Sequence, residues 1–426
     1  MTARIRSISS AGNAGKYFYF LERNYECDKG WEQNEVTKEL GLEKITRENL
    51  ENVLNGKVKD GVYLGRMTGE GLKHHPGQEI TFTAPKSVSI MGLVAEDKRL
   101  LEAHEKAVNE TLQYMNRNLI YARVQKDGLQ YQEKTDNTIT AKFTHITSRA
   151  VKDADNDKKP DPGLHTHALV ANATKCSDGE FRSIVFDKVY ENQLNISELY
   201  NINLARQSKE IGYNLTEGKT SAGRYTFEIE GVSDKDIKEF SQRRNNIMEV
   251  AREEGVSDVK GIEYIAKSTR AEKIKETQGE LLKNWIERVN VKELYSIKED
   301  ALANKSPMHQ IESNIKDNLS FAISHLSERE AVWEATELHK TIWQKAPLDY
   351  SIKDIEQIIA EEIKSKKILT PYDENSSTYT TKQSLSLEKD VIKLMQDGKG
   401  RTKAIASNNA LNNILDKSNL TIGQKD

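Results

Sequence analysis

Hydrophobic and polar residues alternate most regularly in two segments near the middle of the chain, and each alternation predicts a β-strand. The first segment, residues 138–148, includes His145, and the second, residues 164–174, follows a Pro-Gly turn and includes His165 and His167. Side chains two residues apart in a strand point to the same face, so His165 and His167 lie together. When the two strands pair, His145 joins them and three imidazoles converge on one point.

The pattern on either side of these strands predicts an α/β fold with a central antiparallel sheet and flanking helices. Residues 2–8 and 77–84 have the character of strands, whereas residues 97–118 and 189–211 have the spacing of amphipathic helices. The chain therefore alternates between strands and helices over its first half, which is typical of a layered fold.

Two later regions predict further units. Residues 233–291 are helical and highly charged, which is usual for a solvated helix face but also suits an arm that closes over a polyanion. Asn304-Lys-Ser-Pro307 marks a boundary, beyond which residues 306–396 have the pattern of helices and a hairpin, typical of a winged-helix-like module. We expect a first domain at residues 1–295 and a flexible tail at residues 397–426.

The composition excludes some classes of protein. The chain has 426 residues, of which 36% are hydrophobic and 30% charged, and its net charge is −3, so any nucleic-acid site must be a local basic patch. Two cysteines and the lack of any apolar run near the roughly 20 residues of a membrane span predict a cytoplasmic protein without membrane insertion. Gly218-Lys-Thr lacks the upstream glycine of a P-loop, so no ATPase motif is recognised.

The three histidines predict a metal site suited to a phosphate. A His-x-His pair alone is usually exposed or hydrogen-bonded, and it is the third histidine that favours a metal. Three neutral imidazoles leave a divalent ion its full charge and open coordination positions for an anionic oxygen. A cupin-type oxygenase is excluded because Ala171 and Asn172 stand where its glutamate ligand is needed. Glu79, at the edge of a neighbouring predicted strand, is placed to accept a hydrogen bond from a ligating imidazole.

Taken in order, these motifs resemble the MobF-type conjugative relaxases, which carry an HUH-endonuclease domain at the front of relaxase-helicases such as that of the F plasmid. The resemblance covers roughly the first 290 residues, and residues 326–381 resemble the start of the family's helicase-related region, so we expect a short form or a piece of a longer protein. The motifs that carry it are Ser10-Ala-Gly-Asn-Ala-Gly-Lys-Tyr17, Ile80-Thr-Phe-Thr-Ala-Pro-Lys-Ser-Val-Ser89, Asp97-Lys-Arg-Leu-Leu-Glu-Ala-His104, His145-Ile-Thr-Ser-Arg149, Leu164-His-Thr-His-Ala-Leu-Val-Ala-Asn-Ala-Thr174 and Gly179-Glu-Phe-Arg182.

The resemblance implies site- and strand-specific nicking and rejoining of plasmid DNA at an origin of transfer. Tyr17 would attack the scissile phosphate, form a 5′-phosphotyrosyl link and free a 3′-OH. Tyr25, which shares a predicted helix face with Tyr17, would act in a later strand-transfer step. The family often has paired tyrosines at both places, whereas Phe18 and Glu26 follow the two tyrosines here. The first cut therefore depends on Tyr17, with Tyr19 as a competing candidate.

The same resemblance assigns the metal. His145, His165 and His167 would hold a divalent ion, and Glu79, where the family often has Asp, would orient a histidine or assist the tyrosine. Ligand softness favours Zn, Ni or Mn over Mg, whereas the family commonly works with Mg or Mn.

The resemblance also implies binding partners. Lys86, Arg149 and Gln193 are candidate DNA contacts in a cleft that holds a single strand beside a hairpin. Relaxosome accessory proteins and a type IV coupling protein are further expected partners, and the protein would be carried with the DNA into the recipient cell.

Alternative functions use some of the same residues. A rolling-circle replication initiator would perform the same chemistry at a replication origin. A non-catalytic origin-binding protein would keep a vestigial metal site, and a simple metal hydrolase would need no tyrosine.

Overall fold

The computed structural model of the chain describes residues 3–21, 26–59, 61–69, 71–126, 128–151, 159–269, 276–304, 314–371, 377–401 and 406–418. The strands are β1 (Ala3–Ser7), β2 (Glu26–Trp31), β3 (Lys57–Lys59), β4 (Val62–Tyr63), β5 (Arg66–Thr68), β6 (Gly71–Lys73), β7 (Gly77–Thr83), β8 (Tyr121–Lys126), β9 (Leu129–Lys134), β10 (Thr140–Thr147), β11 (Pro162–Ala171), β12 (Thr174–Lys175), β13 (Phe181–Arg182), β14 (Ile184–Val185), β15 (Leu215–Lys219), β16 (Tyr225–Ile229), β17 (Trp333–Glu334), β18 (Ile368–Leu369) and β19 (Thr378–Thr381).

A π-helical segment, Gly15–Leu21, follows the first of the α-helices. The α-helices are α1 (Ala11–Ala14), α2 (Glu35–Glu39), α3 (Arg47–Leu54), α4 (Lys86–Leu93), α5 (Lys98–Leu119), α6 (Asp187–Glu191), α7 (Gln193–Glu210), α8 (Asp234–Glu239), α9 (Gln242–Glu253), α10 (Val259–Ser268), α11 (Gln278–Arg288), α12 (Val291–Ala303), α13 (Ile315–Ser327), α14 (Ala335–Lys345), α15 (Ile352–Lys364), α16 (Lys382–Gly398) and α17 (Asn408–Lys417).

The central sheet has five strands in the order β1-β7-β11-β10-β2, and every neighbouring pair is antiparallel. This arrangement confirms the predicted α/β fold with a central antiparallel sheet. The registers follow from the alternation in sequence, because a slip of one residue would turn each buried side chain to the opposite face.

The two faces of the sheet have different neighbours. Ile80, Phe82 and Ala168 point to the face covered by α4, α5 and α7, where the largest apolar core lies. Phe143 and Leu169 point to the opposite face, where a second core packs against the N-terminal segment and α3. The three histidines alternate along the strands with Ile80, Phe82 and Ala168. They therefore lie on the same face as Phe143 and Leu169, and this face is only partly covered.

The N-terminal segment departs from its predicted conformation. Residues 17–25 are expected to continue as one α-helix, but the Ser10 side chain caps α1 and the chain then forms the π-helical segment Gly15–Leu21. Residues 22–25, including Tyr25, and the side chain of Tyr19 lie outside the described residues. π-Helical turns are rare in proteins, and many of those known lie at functional sites. The backbone conformation of this segment therefore makes it a candidate functional site.

The C-terminal region has winged-helix topology, as the sequence predicts. Its elements follow the order α13, β17, α14, α15, β18, β19, and its small sheet has the order β17-β19-β18. The module packs on α5. The Tyr114 hydroxyl is hydrogen-bonded to His339 Nδ1 at 3.3 Å, and Glu356 of α15 forms a salt bridge with Arg117 at 2.9 Å. The module and the sheet share one apolar core, while the division at residues 295 and 306 stays a prediction.

Part of the predicted tail is helical. Residues 397–426 are predicted to be loosely ordered, but Asn408–Lys417 forms α17, whose first turn is capped by the Ser407 side chain. Leu411 and Ile414 remain largely exposed on this helix, so it buries little apolar surface. Within the described ranges, none of the helices combines the length and apolar character needed to cross a membrane.

Candidate active site

Three imidazoles meet where β10 and β11 pair. Cα pairing sets His145 opposite His165 and Phe143 opposite His167, so all three histidine side chains project from neighbouring positions on one face. The ring centroids of His145 lie 5.3 Å from His165 and 5.0 Å from His167, and those of the last two are 5.0 Å apart. One nitrogen from each ring lies within 4.8 Å of the others. The structure thus brings together the three predicted ligands.

Hydrogen bonds outside the triad orient two of the rings. His165 Nδ1 donates to the Gly163 carbonyl at 2.8 Å, and His167 Nδ1 donates to Glu79 Oε1 at 2.7 Å. Because Nδ1 carries the proton in both rings, each Nε2 keeps a lone pair for a ligand. Three neutral imidazole nitrogens at this spacing form a donor set that fits a divalent metal ion.

Glu79 acts as the hydrogen-bond acceptor predicted from its place on the neighbouring strand. Burial raises the pKa of this carboxyl group, but hydrogen bonds from His167 and Thr81 and the positive charge of Arg6 outweigh it and lower the pKa below its usual range. The carboxylate is therefore ionised and fixes the orientation of the His167 ring through their hydrogen bond.

Replacing Glu79 with alanine should lower divalent-metal affinity about 10–100-fold, because His167 loses the partner that fixes its ring. Titration calorimetry with Mn²⁺ measures this directly. Thr81→Val is the matched control, because it removes a hydroxyl that lies 3.1 Å from Glu79 and 3.3 Å from His167 Nδ1 and keeps the carboxylate–imidazole hydrogen bond. Equal affinities for the wild type and Glu79→Ala would show that Glu79 does not support the metal site.

Tyr17 lies at the rim of the same face because Phe18 anchors the π-helical segment. The Phe18 ring is buried and packs 5.3 Å from Phe143 and 5.2 Å from His167. Tyr17, Glu79 and His167 line one cleft of about 470 Å³. Phe18, which follows Tyr17 where the family often has a pair of tyrosines, thus packs in the core and fixes Tyr17 beside the triad.

Arg149 reaches the tyrosine from the end of β10. Its Nη2 donates to Tyr17 Oη at 2.8 Å, which joins two residues 132 positions apart in the chain. A guanidinium at this distance offsets negative charge that develops on the phenol oxygen or on a phosphate beside it. The sequence predicts Arg149 as a DNA contact. It does not predict the hydrogen bond from Arg149 to Tyr17, because no sequence pattern links two residues so far apart in the chain.

The other two predicted DNA contacts lie in less open surroundings. Lys86 donates to the Pro162 carbonyl at 2.8 Å, and burial lowers the pKa of its ammonium although the charges of Asp161 and Glu228 oppose that effect. This hydrogen bond uses one of the three N–H donors of the ammonium. Gln193 begins α7, the helix that packs with α5 behind the sheet. Their roles in DNA binding remain predictions.

Two short ribbons carry basic residues that the sequence pattern does not reveal. β3 pairs with β4 and β5 pairs with β6, which sets Lys57 opposite Tyr63 and Arg66 opposite Lys73. All four side chains are exposed, with Tyr63 at 59%. Arg66 and Lys73 thus place two like charges directly opposite each other on one exposed ribbon, which weakens the strand pair in isolation. The strands have only two or three residues and give no recognisable period in the sequence.

The fold and site define the class of protein. An antiparallel sheet presents three converging histidines, and a tyrosine paired with an arginine stands beside them. The family model described as TrwC relaxase matches residues 10–291. The chain belongs to the TrwC relaxase family, which confirms the resemblance drawn from its motifs.

Relatives and solved structures agree with this assignment. The chain is 30% identical over 399 residues to the multifunctional conjugation protein TraI of Escherichia coli strain K12, a match that covers 88% of this chain and 22% of TraI. The chain therefore spans about a fifth of the length of that relative. A metal-free structure of the conjugative relaxase TrwC with OriT DNA has 27% identity and a TM-score of 0.57, and covers 70% of this chain and 97% of that one. A metal-bound structure of the same complex has 28% identity and a TM-score of 0.59, and covers 68% and 97%.

Proposed function

We propose that this protein is a conjugative relaxase that cuts one strand of plasmid DNA at an origin of transfer and later rejoins it. The observation that carries the proposal is that Tyr17, hydrogen-bonded to Arg149, shares one open cleft with His167, a member of the histidine triad. The similarity to TrwC, whose solved structures hold OriT DNA, supports the choice of substrate.

The proposed reaction is a transesterification at phosphorus. The Tyr17 oxygen bonds to the scissile phosphorus, the bond from phosphorus to the 3′-oxygen breaks, and the phenol proton is formally passed to the leaving 3′-oxygen. The products are a 5′-phosphotyrosyl link and a free 3′-OH. One ester replaces another, so the strand can be rejoined by the reverse reaction without another energy source.

The residues around Tyr17 have distinct roles in this scheme. Arg149 offsets the negative charge that grows on the phosphate and holds the tyrosine oxygen toward it. A divalent ion, when bound by the three histidines, supplies Lewis-acid polarisation of a phosphate oxygen. Mg or Mn is the proposed working ion, and Zn or Ni would also bind such a ligand set. Metal-bound and copper-bound TrwC structures support the use of a divalent metal.

The basic ribbons are the proposed contact for duplex DNA in a hairpin next to the nick site. A two-stranded ribbon fits the major groove, and lysine and arginine side chains bind its phosphates. Lys57, Lys59, Arg66 and Lys73 are exposed on these ribbons; Lys59 also lies 3.9 Å from Glu39.

Replacing Lys57 and Lys73 with alanine should weaken binding of a hairpin oligonucleotide and flatten its salt dependence. For each phosphate that is no longer neutralised, the slope of log K against log salt should fall by about 0.9. Fluorescence anisotropy at several salt concentrations measures the slope, and Lys389→Ala on the exposed surface of α16 is the control. An unchanged slope would exclude the ribbons as the duplex contact.

The experiment that tests the proposed function uses labelled single-stranded oligonucleotides that span the transfer origin of the host plasmid. They are incubated with the protein and Mn²⁺, or with a chelator, and separated on denaturing gels. A metal-dependent, SDS-resistant adduct supports the relaxase. Cleavage without an adduct would indicate a metal hydrolase, and binding without either would indicate an origin-binding protein. A parallel incubation uses oligonucleotides that span the replication origin, and an adduct formed only on those would indicate a rolling-circle initiator.

The proposal also includes partners that act before and after the nick. Relaxosome accessory proteins would expose the single strand at the origin, and a type IV coupling protein would receive the covalent complex. We propose that the protein works in the bacterial cytoplasm and enters the recipient cell with the DNA.

A further inference from the structure

Residues 160–163, which we name the junction, connect the charged helical arm with the strand that holds two of the histidines. On the arm side, the indole Nε1 of Trp285 donates to the Pro160 carbonyl at 2.8 Å. Arg288 Nη2 donates to Asp161 Oδ1 at 2.8 Å, and the backbone N–H of Gln242 donates to Asp161 Oδ2 at 2.9 Å. Two arm helices, α9 and α11, thus hold the first half of the junction.

Several contacts from α8 and the residue after it fix the Arg288 side chain beside the junction. Its Nε donates to the Glu239 carboxylate at 3.0 Å, its Nη2 also donates to the Glu239 carbonyl at 2.9 Å, and its guanidinium lies 4.6 Å from the centre of the Phe240 ring. The Arg288 side chain is 14% exposed and that of Asp161 is 3% exposed. Removing one partner of such a buried pair leaves an uncompensated charge.

The second half of the junction supports the metal strand. The Gly163 carbonyl accepts the Nδ1–H of His165 at 2.8 Å, and the Pro162 carbonyl accepts from Lys86 at 2.8 Å. Asp161 is also tied to the other histidine strand, since its carbonyl accepts from the Ser148 N–H at 2.9 Å. A shift of the junction therefore moves the acceptor that orients His165.

We infer that Asp161 and Arg288 are positioning residues for the metal site, through which the placement of the helical arm sets metal affinity. If DNA closes the arm, as its charge pattern in the sequence suggests, the closed arm holds the junction and favours metal binding. The bound metal then favours DNA binding to the same extent, because coupling between two sites is reciprocal. The inference rests on the metal role proposed for the three histidines.

A purely structural ion pair would behave differently, and the chain contains a matched example. Arg99 and Asp97 form a pair of the same type, with Nη2–Oδ2 at 2.6 Å and a carboxylate side chain that is 3% exposed. This pair fastens the start of α5 to the end of α7, through the Ile211 carbonyl and the Tyr213 hydroxyl. Asp97→Asn thus removes a comparable buried charge pair without disturbing the metal strand.

The test measures Mn²⁺ binding to the full chain by calorimetry, with and without a transfer-origin oligonucleotide. Asp161→Asn and Arg288→Lys should lower metal affinity about 10–100-fold, as is typical when the outer support of a ligating histidine is removed. Trp285→Phe keeps the ring packing, removes the indole N–H, and should give a smaller decrease. In the wild type the oligonucleotide should raise metal affinity about 5–150-fold, and the junction variants should lose most of that increase.

Thermal unfolding of each variant separates positioning from stability. Wild-type metal affinity in Asp161→Asn, Arg288→Lys and Trp285→Phe, with a Tm lowered only as in Asp97→Asn, would overturn the inference. His165→Ala tests the underlying metal role: if it binds Mn²⁺ as the wild type does, the proposed metal site is wrong. Metal binding that needs His165 but ignores the junction overturns the positioning role alone.

Discussion

Replacing Tyr17 with phenylalanine is expected to abolish the covalent protein–DNA adduct while DNA binding stays within about twofold of the wild type. The change removes one oxygen atom and keeps the ring that packs edge-on against Phe18 at 4.9 Å. Without the phenol oxygen no phosphotyrosyl ester can form, so both the adduct and the free 3′-OH disappear. Denaturing gels measure the adduct, and anisotropy measures the binding.

Two further variants make this result specific. Tyr25→Phe should keep the first adduct, because its proposed role is a later strand transfer. Tyr264→Phe controls for a tyrosine on the arm whose side chain is 70% exposed. A residual adduct in Tyr17→Phe that disappears in a Tyr17→Phe, Tyr19→Phe double variant would reassign the first nucleophile to Tyr19.

Replacing Arg149 with alanine is expected to slow adduct formation about 10²–10³-fold, the usual effect of removing one donor to a developing oxyanion. Arg149→Lys should recover part of the rate, since it restores the charge without the planar fork. Single-turnover kinetics at saturating oligonucleotide separates this effect from binding, and Mn²⁺ calorimetry should show unchanged metal affinity.

Arg6→Ala is the matched control for Arg149. Arg6 lines the same cleft, and on β1 it pairs with Glu79 of β7. It therefore brings the same positive charge to the site as Arg149, but from β1, which carries no nucleophile. We expect its replacement to change the rate far less than that of Arg149, which donates directly to the Tyr17 oxygen. Equal effects of the two changes would mean that Arg149 acts through the general charge of the cleft.

The fold and the meeting of the histidines were predictable because both depend on local periodicity. Alternation over β10 and β11 assigns each histidine to a face, and a slip of one residue in the register would place Phe143 and Leu169 on opposite faces. The winged-helix topology was predictable for a similar reason, since its helices and hairpin follow one another without interruption along the chain.

Contacts between distant segments were not predictable. The hydrogen bond from Arg149 to Tyr17 depends on a π-helical turn, and no spacing rule in the sequence favours that conformation. Lys86 shows the converse: a lysine after Pro85 at a helix start suggests an open phosphate site, but the fold brings the Pro162 carbonyl over its ammonium. Such differences arise from the tertiary packing of elements far apart in sequence.

The winged-helix module has a charge pattern that affects where DNA can run. In winged-helix proteins that bind DNA in sequence-specific fashion, the third helix enters the groove and needs cations or neutral polar groups on its outer face. Here that helix is α15, which exposes Asp354 and Glu361 as well as Lys353 and Lys364. Its Glu356 pairs with Arg117 of α5. These charges of both signs give α15 no basic face, so we expect the module to brace α5 and the nucleic acid to bind at the basic ribbons and the cleft of Tyr17.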